Sequence, residues 1–346
     1  MKVLACWPIG SLGIQLNCFP KMILEHGIFT VSLDFELYWG VRDKQSIIQY
    51  KQNLRGVRRA ITEMLRVFSG NHIHVTWATV GFLFCKDLYD LNEYIPKVCP
   101  KYENEELSPY KYIEQRTELD PIYHFAPELI DLIQKYDGQE IASHTFSHYY
   151  CLEEGQSVDE FEEDISLAIK IAERRGISIK SLVFPRNQWN PEYISVLTRF
   201  GIQCYRGNES NWIYNASNDE DQGIFQRAVR LIDSHLNISG HNVYDLHRCV
   251  NGKPFNFQSS RFLRPYSGKL AILDGLRLNR IKRSMSYAAK NKKIFHLWWH
   301  PHNFGINTNK NVNFLLDIIK HYIFLKKRYD MKSLNMCELS ELCNGK

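Results

Sequence analysis

Two histidines four residues apart end a short apolar run in Glu140-Ile141-Ala142-Ser143-His144-Thr145-Phe146-Ser147-His148. At that separation on one helical turn, two imidazoles point to the same side. Two neutral rings aimed at one point make half of a site for Zn²⁺ or another borderline divalent metal. A lone His-x-x-x-His is more often a solvated turn. Three further polar clusters reverse that weighing, because each also follows a strand-like run. Asp34-Phe35-Glu36 follows Ile28 to Leu33, and residues i and i+2 of an extended chain face the same side. Both carboxylates can therefore aim into one cavity. Pro185-Arg186-Asn187-Gln188 follows Ser181 to Phe184. An arginine there can orient a neighbouring carboxylate and hold it ionised. His296-Leu297-Trp298-Trp299-His300-Pro301-His302 places three histidines and two tryptophans in seven positions. A metal with two His and a carboxylate, a second carboxylate, an Arg and a further His are the parts needed for metal-assisted hydrolysis of an amide or ester.

These clusters need a scaffold that gathers strand ends. Ile28 to Asp34, Ile73 to Val80, Glu140 to Ser143, Ser181 to Phe184 and Ile294 to Trp299 read as strands. Between them lie helical patterns. Leu54 to Phe68 puts Val57, Ile61, Leu65 and Phe68 on one face, and Gly70 ends it. Pro127 opens a helix closed by Gly138. Ser157 and Glu160 form a capping box for a helix to Arg175. Asn190-Pro191 starts a helix to Phe200, and Asn311 is the expected cap of a last helix through about Lys326. Five or six strand–helix alternations imply parallel strands with crossover helices, and further strands can hide in 202–265. In such folds the C-terminal strand ends carry the active site. Residues 86–124 and 206–265 are long interruptions, expected to form lids or binding walls.

Composition excludes several classes. The 346 residues are 44% hydrophobic and 23% charged, ordinary for a globular chain. The net charge of +5 suits an anionic sugar or a lipid surface, and no Lys/Arg block marks a nucleic-acid arm. No apolar stretch is long enough for a transmembrane helix. The nine cysteines are scattered without a Cys-x-x-Cys pair, which argues for a reducing compartment and against a disulfide framework or zinc ribbon. Residues 1–21 make a poor secretory signal, lacking a small-x-small cleavage site, and read instead as a weakly ordered extension, with Met22 an alternative start. The domain is expected over 22–327, with 328–346 as a tail.

The motifs resemble those of the polysaccharide deacetylases, the NodB-homology group of carbohydrate esterases, from Phe29 to Phe304 in the family's order. Thr30-Val31-Ser32-Leu33-Asp34 resembles the first motif, a strand ending in a catalytic aspartate. Thr76 to Gly81 resembles the second-strand segment. His144-Thr145-Phe146-Ser147-His148 matches the His-Ser/Thr-x-x-His metal motif, and Leu297-Trp298-Trp299-His300 the late Leu-x-x-His motif. The resemblance implies a distorted, incomplete (β/α) barrel, and Zn²⁺, Co²⁺ or Ni²⁺ as cofactor. It implies Glu36, His144 and His148 as metal ligands, Asp34 as general base, Arg186 as its brace and His300 as general acid. The reverse assignment of the two acids stays open, because Phe35 stands where the family's second aspartate follows directly. Pro185 precedes Arg186, the reverse of the family order. Asp233, near His235, is a weak stand-in for the Asp-x-x-Asp/Asn-Trp motif, and Arg264-Pro265-Tyr266 echoes an Arg-Pro-aromatic one.

The implied activity is removal of an N-acetyl group from an amino sugar. A cytoplasmic location points to a nucleotide- or lipid-linked sugar used in surface-polysaccharide synthesis. Two other readings stand beside it: a same-fold hydrolase of a small non-sugar amide, and a non-catalytic glycan-binding homologue. A groove lined by Trp39, Trp189 and Trp298 would favour a sugar; a small closed pocket would favour the small amide.

Overall fold

The computed structural model describes residues 24–215, 223–250 and 252–345. The expected extension over residues 1–21 lies outside them. Among the described residues nine strands form one sheet: β1 Ile28–Phe35, β2 Val75–Thr79, β3 Gln139–Ser143, β4 Ser181–Val183, β5 Cys204–Arg206, β6 Phe255–Asn256, β7 Arg261–Phe262, β8 Ile294–Trp299 and β9 Lys332–Ser333. The order is β6-β5-β4-β3-β2-β1-β8-β7, with β9 paired to β1, and the pairings are parallel. The parallel pairing is the one expected from the alternation, and the open curved sheet is the incomplete (β/α) barrel that the family resemblance implies. The segment between its edge strands ties them together. Phe257 and Ser259 donate to Tyr205 and Gly207, whereas Ser260 and Leu263 donate to His296 and Trp298.

β1 is buried along its whole length, as a central parallel strand must be when both faces are covered. Its alternation separates two environments. Phe29, Val31, Leu33 and Phe35 pack with the surrounding helices, while Ile28 joins Ala78, Val183, Cys204 and Ile294 on the inner side. Thr30, Ser32 and Asp34 follow Ile28 up that inner side. The register Phe35↔Thr79 and Thr79↔Ser143 brings Glu36 level with His144. The register Leu33↔Trp299 brings Asp34 beside His300.

The helices differ from the sequence reading mainly at their ends. The first runs Ile47–Gly70, because Ser46 and Gln49 form a capping box ahead of the apolar stripe. Helix Val158–Glu173 has the expected Ser157/Glu160 box. The last long helix is Thr308–Tyr329, so Asn311 is not its cap. The Asn311 side chain lies one turn inside and bonds the Tyr266 N–H at 2.6 Å and the Ile306 carbonyl at 2.9 Å.

Residues 328–346 are not a tail over their described part. After β9, a helix Met336–Cys343, capped by Asn335 and Glu338, buries Met336 and Leu339 among the inner residues Ile28, Ala78, Val183, Cys204 and Ile294. Its first N–H groups donate to Thr76 and Glu140. No described helix is long and apolar enough to cross a membrane.

Candidate active site

Glu36 leaves β1, and His144 leaves β3 and leads to His148. The pair does not lie on a helical turn. Residues Thr145 and His148 have φ of +62° and +61°, so the chain folds into a tight loop that still turns both rings to one point. Buried Asp164 of helix Val158–Glu173 holds that loop. Its carboxylate accepts the Phe146 N–H at 2.6 Å and the Ser147 N–H at 3.0 Å, and also the Ser147 hydroxyl. Burial pushes the Asp164 pKa up to about 6 against those bonds. Gly40 makes room for the third group: a Cβ there would lie 1.9 Å from the Glu36 carboxyl carbon.

His144 Nε2 is 3.2 Å and His148 Nε2 3.0 Å from the same Glu36 oxygen, and one ligand atom from each residue lies within 4.8 Å of the others. All three side chains are buried. The His144 Nδ1–H donates to the Val183 carbonyl at 2.8 Å. In the neutral ring this leaves the Nε2 lone pair facing a carboxylate oxygen. Two acceptors at that distance repel unless a metal ion or a ring proton lies between them. Burial also pushes the His148 pKa down to about 4, which favours the neutral ring a metal needs. The donor set thus fits a divalent transition metal.

Asp34 belongs to a second unit. Arg206, at the end of β5, grips it with two bonds, Nη1 to Oδ1 at 2.7 Å and Nη2 to Oδ2 at 2.8 Å. Arg206 also donates to Ser32 at 2.9 Å and Asn187 at 2.8 Å and lies 4.2 Å over the Trp298 ring. Burial alone would raise the Asp34 pKa, but Arg206 brings it below its ordinary value. The brace assigned to Arg186 is therefore supplied by Arg206. Arg186 lies in the turn after β4 with φ +54°; its guanidinium pairs with Asp43 and covers the Tyr150 ring at 4.3 Å. Replacing Arg206 by Lys should raise the Asp34 pKa and so move the acid limb of a pH–rate profile to higher pH. Arg186→Lys should leave that limb in place. A matching shift in both variants, or in neither, would refute the assignment.

His300 Nε2 lies 3.8 Å from Asp34 and 3.6 Å from Glu36, and its side chain is 23% exposed. The Asn303 amide reaches His300 Nδ1 at 3.4 Å, favouring the tautomer with its proton on Nε2. Asn303 in turn accepts from Tyr50 at 3.3 Å. His302 stacks behind His300 at 5.0 Å and is buried, and burial drives its pKa down to about 3. His296 is buried in the inner layer with Nε2 2.8 Å from Ser32.

These groups open onto a cavity of about 340 Å³, lined by Asp34, Glu36, His148 and His300 among others. Trp298 lines it, and Phe262 packs on Trp298 at 4.7 Å between ring centres. The other two expected sugar-binding tryptophans are not in that lining. Trp39 is fully buried, its Nε1–H donating to the His124 carbonyl at 2.7 Å. Trp189 is half-buried and packs toward Tyr205. Asp233 is likewise outside the lining: it is buried, pairs with Arg261 at 3.1 Å and accepts from Tyr214 at 2.7 Å.

No protein-family model matches the chain, and no curated protein matches it. Solved structures do. A Mycobacterium smegmatis protein assigned as a polysaccharide deacetylase superposes with TM-score 0.54 at 11% identity, over 99% of this chain and 96% of that one. A Pseudomonas aeruginosa protein with the same assignment gives 0.52 at 10% identity, over 92% and 91%. Puue allantoinase gives 0.51 at 10% identity, over 97% of both chains. At these identities the likeness concerns architecture, and with it the chain has the NodB-type polysaccharide-deacetylase fold.

Proposed function

We propose that the protein is a metal-dependent hydrolase that removes an N-acetyl group from an amino sugar. The observation that carries this reading is the convergence of Glu36, His144 and His148 beside a separate Asp34–His300 pair at one cavity. A divalent metal held by the first three would polarise the amide carbonyl and lower the pKa of attacking water. Asp34, charged beside Arg206, accepts the proton of that water. His300, the more exposed of the stacked histidines, donates a proton to the departing amine. Trp298 and Phe262 offer an apolar face for the sugar ring. We infer a nucleotide- or lipid-linked sugar in the cytoplasm as the substrate, on the cysteine pattern and the mild positive charge.

Elemental analysis of untagged protein should find about one equivalent of zinc, cobalt or nickel, since a catalytic site holds one metal with three protein ligands. The His144→Ala/His148→Ala double variant should lose it together with acetate release from N-acetylated sugars. Equal metal in both proteins would sink the proposal. A small non-sugar amide is the second reading, favoured by the modest cavity and by an allantoinase having the same fold. Ammonia or ring-opening activity without acetate release would select it.

A further inference from the structure

The cavity wall beyond the Trp298–Phe262 face is rich in arginine. Arg261, Arg264 and Arg230 all line it, from β7, from the strand's extension and from helix Ile224–Asp233. Their charges are not equally compensated. Arg261 uses Nη1 on Asp233, but its Nε and Nη2 are buried without a hydrogen-bond partner among the described residues, and the residue is 3% exposed. Arg230 spends Nε on the Ile213 carbonyl at 2.6 Å, and Glu209 is the carboxylate that opposes it. Arg264 has no ion pair with any described carboxylate. The remaining lining acids have other roles: Asp34 is held by Arg206, and Glu36 faces the two histidines. Burial lowers the Arg264 pKa, and neighbouring Arg230 lowers it further, so the wall holds these cations together at a cost. A guanidinium fork matches the two oxygens of a carboxylate or phosphate.

We propose that Arg264, with Arg230 and Arg261, forms an anion subsite that selects a sugar bearing a carboxylate or phosphate. This rests on the hydrolase reading above and narrows its substrate class. Arg264 stands two residues after Phe262, which packs on Trp298 and lies 5.8 Å from His300. The anionic group would therefore anchor one end of the sugar while its acetamido group meets His300. The cations of this wall do not touch the metal ligands, so the subsite can be read without turnover.

Calorimetric titration at low salt tests it. The probes are N-acetylglucosamine, its 6-carboxylate, its 1-phosphate, its uridine-diphosphate conjugate and inorganic phosphate. At least one anionic sugar should bind about tenfold or more tightly than the neutral one, the range of hydrogen bonds to a charged group. Arg264→Gln should erase that preference and leave the neutral sugar's affinity within about twofold; Arg264→Lys should retain part of it. Preference for the carboxylate over the phosphates, or the reverse, identifies the source. Equal affinity for neutral and anionic sugars, no Arg264-sensitive binding of any anion, or a preference that survives in Arg264→Gln would overturn the proposal. Anion preference dependent on Arg264 with no acetate release from any sugar would uphold the subsite and reject the deacetylase reading. Acetate release from neutral sugars alone would do the opposite.

Discussion

Asp34→Asn is expected to reduce turnover by at least ~10²–10⁴-fold, the range for removing a general base, while the metal content stays unchanged. The amide keeps the shape of the carboxylate and can still accept from Arg206, but it cannot accept the proton of water. Two controls separate this from a folding defect. Arg206 is buried, and removing its counter-charge can destabilise by about 3–5 kcal/mol. A melting curve should therefore show a lower but still cooperative transition. Metal analysis decides the second point. If the metal leaves with the carboxylate, Asp34 is a ligand and the roles of the two acids are exchanged. The geometry favours the present assignment, because Glu36 faces both histidines whereas Asp34 faces a guanidinium.

His300→Ala should lower kcat on amides by roughly 10²–10⁴-fold with metal retained. An amine anion is a poor leaving group, so the C–N bond should not break without a proton from the protein. An ester with an activated leaving group needs no such proton and should lose much less. The rival donor is His302. It is buried, outside the cavity lining, and its depressed pKa leaves it unprotonated at neutral pH. His302→Ala should act through packing against His300 and Tyr50, changing kcat less than His300→Ala. Loss of amide cleavage in His302→Ala with full activity in His300→Ala would refute the assignment.

The strand ends that carry chemistry were legible because β1, β3 and β8 are announced by apolar runs directly before a polar residue. Arg206 was missed because β5 is the three-residue Cys204–Arg206, too short to show a period. Its partner lies 172 positions away across the barrel interior, a distance that local pattern cannot bridge. Trp39 was expected with Trp189 and Trp298 in a groove lining that would favour a sugar. It instead occupies a short helical turn that folds beneath His124, where its N–H finds a carbonyl. The loop between His144 and His148 contains no Gly or Pro, so nothing in its letters signalled left-handed residues. Helix Met336–Cys343 was overlooked because Met-Cys-Glu-Leu-Ser-Glu-Leu-Cys offers barely two turns of periodicity. Its role comes from what it covers.

That helix has a consequence for how the protein is made. β1 bears Asp34 and leads directly into Glu36, and its first residues pair with β9, about three hundred positions later. Until β9 and the helix after it have been synthesised, the inner residues Ile28, Val183 and Cys204 lack their cover, and Glu140 lacks the N–H of Cys337. On the ribosome the nascent chain should therefore expose a sticky barrel end and remain protease-sensitive until the helix Met336–Cys343 emerges. A stop codon placed just before Lys332 would remove no residue of the cavity, yet it should yield aggregate rather than a weakened enzyme.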